Sequence, residues 1–199
     1  FYSAITDFLG FSVNEGEYKV MGLAAYGEPV HYESLSKTIF FKNGNLFLDD
    51  TYYDFMRSIS KSYSIKLKSL FNIEERESNI SLDLDSPNFK AYSDIAASAQ
   101  KIVEEILKEI FIFANEITGE SKFIFSGGVA MNSVAIHKLS KLNCITELII
   151  PPSPGDSGAA IGAAYYSFLQ FNKNDFKNKS KVNIPNMLTP GLVNIKDHN

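Results

Sequence analysis

Between Lys122 and Phe171 short apolar runs alternate with segments of helical period, and this alternation restricts the fold more than any other feature of the chain. Lys122–Phe125 reads as a strand, about Asn132 to Leu142 as a helix, Ile145–Ile150 as a strand, and about Asp156 to Phe171 as a helix. Short buried strands alternating with helices indicate an α/β layer. Upstream, a helix capped by Ser93 or Asp94 is expected to run to Thr118 and close at Gly119, with Ile95, Ala99, Ile102, Val103, Ile106, Ile110, Ala114 and Ile117 as its apolar stripe. Asn43-Gly44 between two apolar runs predicts a β-hairpin over about 38–49, because both central positions of a type I′ turn need positive φ.

The remaining segments are shorter. Phe1 to Phe11 reads as an amphipathic helix stopped at Gly10, and Glu17 to Ala25 as a second helix ending at Gly27. Apolar residues recur at helical spacing from Tyr53 to Phe71, whereas the polar stretch of about 73–92 is expected to be a solvent-exposed connection. The tail 173–199, rich in Asn and Lys, is expected to be loose.

Composition decides which partners are plausible. A formal charge of −4, a hydrophobic fraction of 45% and 26 Phe and Tyr residues describe a chain that folds around a core. The acidic balance argues against nucleic acid and against an anionic membrane surface, since both require clustered Lys and Arg. Ser157 to Phe171 is the longest uncharged run and is too short to span a bilayer, which needs about 20 apolar residues. The single cysteine, Cys144, reads as a small buried thiol, and a cytoplasmic location is expected. The chain opens on Phe1 without a leader pattern and is expected to be a piece of a longer protein.

Three segments have the character of a binding site. In Phe123-Ile-Phe-Ser-Gly-Gly-Val-Ala-Met-Asn132 an apolar strand runs into Gly127 and Gly128, where a ligand can approach the main chain closely; a tight strand-to-helix turn with no ligand would look the same. In Pro151-Pro-Ser-Pro-Gly-Asp-Ser-Gly158 three prolines stiffen a loop that ends at Asp156, whose carboxylate either caps the following helix or ligates a metal. Lys19 stands in the first turn of its helix, the less favourable end for a cation; it either meets an anionic partner or pairs with Glu15 or Glu17. The chain has no P-loop, dinucleotide fingerprint, nucleophile elbow or Cys-x-x-Cys pair, and His31, His137 and His198 read as exposed.

Taken in order, Phe1-Tyr-Ser-Ala-Ile-Thr6, Glu17-Tyr-Lys-Val-Met-Gly-Leu-Ala-Ala-Tyr-Gly27, Asp94-Ile-Ala-Ala-Ser-Ala-Gln100, Gly127-Gly-Val-Ala-Met-Asn132 and Gly155-Asp-Ser-Gly-Ala-Ala-Ile-Gly-Ala-Ala164 resemble the carbamoyltransferase family that includes nodulation protein U and the antibiotic O-carbamoyltransferases. The resemblance implies an α/β fold of the actin-like ATPase (ribonuclease H-like) type, similar to the tRNA threonylcarbamoyltransferase domain. Residues 1–172 would form the second half of that domain, with helices on a central sheet plus the hairpin, and 173–199 would lead to a further domain. By resemblance Gly127, Gly128, Asn132 and Lys19 would contact the nucleotide, and Asp156 would hold a divalent metal, iron, together with two histidines spaced His-x-x-x-His in the preceding half. The implied substrates are carbamoyl phosphate, ATP, the carbamoyl adenylate made from them, and a small hydroxylated acceptor. Where the family continues with Cys, a further Asn and Gly, this sequence has Ser133, Ile136 and His137 before Lys138. No general base is identified, the isolated chain is expected to be inactive, and the alternatives are an actin-like sugar kinase or a non-catalytic nucleotide-binding module.

Overall fold

In a computed structural model, which describes residues 1–171, the described residues divide into two compact units, 1–117 and 118–171. The first unit opens with α1 (Tyr2–Phe8) and α2 (Glu17–Leu23), the latter prolonged by a 3₁₀ turn over Ala24–Tyr26, and continues through α3 (Tyr32–Leu35). The predicted hairpin follows as β1 (Ile39–Lys42) and β2 (Asn45–Leu48), antiparallel with Phe40 opposite Phe47. Its turn is carried by Asn43 at φ 51° and Gly44 at φ 78°, the positive pair that the Asn-Gly sequence predicts.

The long helix α5 (Phe89–Thr118) organises this unit, and it begins at Phe89, ahead of the expected cap at Ser93 or Asp94. Ile95, Ala96, Ala99 and Ile102 join Ile5 and Phe8 of α1, Leu9 just after it, and Val20 and Leu23 of α2 in a single core cluster. Further along, Leu107 and Phe111 are buried while Ile117 is 65% exposed, so the buried stripe departs from the expected one toward the C-terminus. Two polar residues of α5 serve this packing. The Asp94 carboxylate accepts the Glu28 N–H at 2.6 Å and the Ser98 hydroxyl accepts the His31 N–H at 3.0 Å, which fastens the 27–31 loop to the helix. His31 is accordingly half-buried, not exposed, with its ring edge-on to Phe71 and its pKa lowered by burial.

Two expectations for the middle of the chain are overturned. Residues 53–71 do not form one helix: a bridge joins Tyr53 to Tyr63, and only α4 (Ile65–Lys68) is α-helical, capped by the Ser64 hydroxyl. Tyr53, Tyr63, Leu67 and Phe71 still enter the core, so the apolar spacing reflects burial without a regular helix. The 73–92 segment is not simply solvated either, because Arg76 within it is buried and bonded to the end of α1.

The second unit contains β3 (Lys122–Ile124), α6 (Ser133–Leu139), β4 (Glu147–Ile149) and α7 (Gly158–Phe171). The two strands pair in parallel, Phe123 with Leu148 and Ile124 with Ile149. The strand-helix-strand-helix order predicted from the sequence is therefore present, but the expected central sheet is only this pair among the described residues. Cys144 lies between the two strands in sequence and is half-buried. The tail expected at 173–199 lies outside the described residues. Among the described residues no helix is long and apolar enough to cross a membrane.

Candidate functional site

Parallel pairing places the loops that leave β3 and β4 at the same edge of the sheet, the carboxyl edge, where open α/β sheets bind ligands. One loop carries Gly127 and Gly128, the other Pro151 to Ser157. The strand register continues one step further, with the Phe125 N–H donating to the Ile149 carbonyl at 2.9 Å. The Pro154 carbonyl then accepts both the Gly127 N–H at 2.7 Å and the Ser126 hydroxyl at 3.0 Å. Two motifs 28 positions apart are thereby stitched through one carbonyl oxygen.

Gly127 makes that contact from a conformation closed to other residues. Its φ of 106° and ψ of 169° lie in a region essentially restricted to glycine. Gly128 then opens a 3₁₀ turn, Gly128–Met131, and a Cβ built on either glycine would meet no atom within 4 Å. The main chain is thus bare and accessible at both positions, the condition for a ligand to lie directly on it. Asn132 ends the turn as the N-cap of α6, its side-chain oxygen accepting the Ala135 N–H at 3.0 Å. This capping role was missed in the sequence, although an Asn just ahead of a helix is its usual signal.

The second loop is tied by its own serines. The Ser153 and Ser157 hydroxyls share a hydrogen bond of 2.6 Å, and a Cβ at Gly158 would overlap the Ser153 carbonyl oxygen, which requires glycine there. Asp156 stands exposed two residues before α7, with its carbonyl accepting the Ala159 N–H at 3.0 Å. Among the described residues its carboxylate makes no hydrogen bond to a helix N–H, so the capping alternative gains nothing here. Nor do the described residues contain a group of three His, Cys, Asp or Glu side chains able to hold a metal. A lone carboxylate supplies too few ligands, since a catalytic metal has about three from the protein.

Gly127, Gly128, Asn132 and Asp156 therefore share the carboxyl edge of the second unit, and Lys19 belongs to the first unit. On α2, Lys19 pairs with neither Glu15 nor Glu17 among the described residues. Glu17 instead accepts the Ser3 hydroxyl at 3.1 Å and the Asn14 N–H at 2.9 Å. The Lys19 ammonium lies 5.8 Å from the Phe11 ring centre and borders a cavity of about 660 Å³ that Arg76 also lines.

Residues 1–165 match the family described as carbamoyltransferase N-terminus. The chain belongs to this family. The match takes in Lys19, both glycines, Asn132 and Asp156. The carbamoyltransferase-family chain is 33% identical over 176 residues to the uncharacterised protein sll1178 of Synechocystis, covering 87% of this chain and 28% of that one. It is 29% identical over 167 residues to nodulation protein NolNO of Sinorhizobium fredii, covering 82% of this chain and 22% of the relative. A tRNA N6-adenosine threonylcarbamoyltransferase of Listeria innocua is 35% identical over 136 residues, 65% of this chain and 36% of that protein. The chain spans about a quarter of the length of the first two relatives.

Proposed function

We propose that this chain is part of an O-carbamoyltransferase, in which a carbamoyl group passes from carbamoyl adenylate, formed from carbamoyl phosphate and ATP, to a hydroxyl of a small acceptor. In the transfer the acceptor oxygen bonds to the carbamoyl carbon, the carbon–oxygen bond to the adenylate phosphate breaks, AMP leaves, and the hydroxyl proton departs to a base. The family membership and the likeness to a threonylcarbamoyltransferase support this chemistry and an actin-like fold. The observation that carries the placement of the site is the double hydrogen bond to Pro154, which brings the Gly127-Gly128 turn and the Asp156 loop to one sheet edge.

In this reading the nucleotide lies on the bare main chain of Gly127 and Gly128, and Asn132 fixes the turn by capping α6. A divalent metal, iron by resemblance, would supply Lewis-acid chemistry when bound. Asp156 is the residue that would hold it among those described, the other ligands coming from outside the described residues, and no step is assigned to it. Lys19, in the first unit, would contribute positive charge toward the nucleotide phosphates.

The test is the product formed by the intact protein. Carbamoyl transfer requires AMP and pyrophosphate to accumulate only when carbamoyl phosphate accompanies ATP. Formation of ADP without carbamoyl phosphate would replace this reading with a kinase.

A further inference from the structure

Arg76 is a buried charge that the proposed reaction leaves without a task. Only 9% of it is exposed. Its Nε donates to the Leu9 carbonyl at 2.6 Å, one Nη to the Gly10 carbonyl at 3.0 Å, and the other Nη to the Glu77 carbonyl at 3.3 Å and to the Ile80 carbonyl. Its main-chain N–H donates to the Phe8 carbonyl at 3.0 Å, and a Cβ at Gly10, which stands at φ 68°, would overlap the Arg76 carbonyl oxygen. Burying a charge costs free energy that these neutral carbonyls return only in part. What the guanidinium secures is the path of the chain as it leaves α1.

The residue placed by that path is Phe11. Its N–H donates to the Thr6 carbonyl at 3.0 Å, and its ring centre lies 4.7 Å from the Arg76 guanidinium. Phe11 also abuts the start of α2, because a Cβ built on Gly16, the N-cap of that helix, would come within 2.7 Å of the Phe11 Cβ. Lys19 springs from the same point. Its N–H donates to the Gly16 carbonyl at 2.9 Å, and its ammonium lies 5.8 Å from the Phe11 ring centre and 5.9 Å from that of Tyr18. Tyr18 is exposed, whereas Phe11 packs against the core cluster and is anchored. One ring therefore faces a buried, fixed cation and an exposed, movable one. A lysine loses rotamer freedom when it meets a ligand, and a ring that already holds its ammonium lowers that cost.

We propose that Arg76 is a positioning residue: its guanidinium fixes the Phe11 ring, and the ring holds the Lys19 ammonium ready for the nucleotide phosphates. This rests on the role given to Lys19 above and adds to it a residue that acts only through Phe11 and Lys19. An Arg76 that merely stabilised the fold would affect all ligands alike. An Arg76 that acts through Lys19 affects only ligands that carry phosphates.

The test is calorimetric titration of the intact protein with ATP and with adenosine, which lacks the phosphates. Lys19→Gln should weaken ATP binding about tenfold, the size of one charge-assisted contact, and leave adenosine unaltered. Phe11→Leu keeps an apolar side chain without a π face. It should weaken ATP about two- to fivefold, leave adenosine unaltered, and cost nothing more in the Lys19→Gln background. Arg76→Met, or Arg76→Lys if the former does not fold, should match Phe11→Leu and add nothing to it. ATP affinity undiminished by Lys19→Gln would overturn the assignment of Lys19 to the phosphates, and the positioning role with it. ATP affinity lowered by Lys19→Gln but not by the Phe11 and Arg76 variants, or lowered by these equally in the Lys19→Gln background, would overturn the positioning role alone. Equal losses for ATP and adenosine in those variants would overturn it too.

Discussion

Alanine at Gly127 and alanine at Gly128 should have opposite consequences, although the two glycines are adjacent and equally uncrowded. A Cβ at either position has no atom within 4 Å, so neither variant creates a clash. Gly127 is held at φ 106° and ψ 169°, a region where a residue with a Cβ costs about 1–3 kcal/mol, whereas Gly128 begins a 3₁₀ turn without positive φ. Replacing glycine also stabilises by about 0.4–1 kcal/mol through the unfolded chain, and this contribution is common to both variants. It cancels in the comparison. Gly127→Ala should therefore be less stable than Gly128→Ala by about 1–3 kcal/mol, the backbone strain alone. Urea unfolding of the two variants, followed by the hydrogen exchange of residues around 125–132, measures the difference directly. Stabilities equal to within about 0.5 kcal/mol, below the smallest strain expected, would refute the assignment of the turn's conformational demand to Gly127.

Three further outcomes are expected. Arg76→Met should destabilise the protein by about 3 kcal/mol, because the Leu9 and Gly10 carbonyls lose their donor in a buried setting, and a shift in the urea midpoint checks it. Glu75, ion-paired at 2.6 Å with both Lys61 and Lys68, should titrate at about 2 rather than its ordinary 4.5, its carboxylate favoured by these lysines. Its contribution to stability is then present above pH 4.5 and lost as the pH falls toward 2, and carboxyl NMR of Lys61→Met should show the midpoint moving back up. Asp156→Ala in the intact protein should lower bound metal, read by elemental analysis, while leaving the melting temperature unchanged.

The part of the candidate site written in local sequence was legible in advance. Glycines after an apolar strand, and a proline-stiffened loop after another, mark where chain direction changes and main chain is exposed, and the parallel pairing of β3 with β4 brings both to one edge. The Pro154 carbonyl that joins them has no sequence signal, because a backbone acceptor is independent of residue type. Arg76 was hidden for a similar reason. It sits in a polar stretch that reads as solvated, and its burial comes from carbonyls 66 and 67 positions away at the end of α1. The error at 53–71 has a different origin. Tyr53, Tyr63, Leu67 and Phe71 repeat at intervals compatible with a helix, yet the Asp54 N–H bonds to the Ser62 carbonyl at 3.0 Å and closes a loop that breaks it.

The central claim is that the two loops at the carboxyl edge of β3 and β4 form one nucleotide site. Hydrogen exchange of the intact protein with and without ATP tests it most directly. ATP should slow exchange together at residues 126–132 and 153–158, and Gly128→Val should remove the protection from both. Protection confined to other segments, or retained in full by Gly128→Val, would contradict the claim.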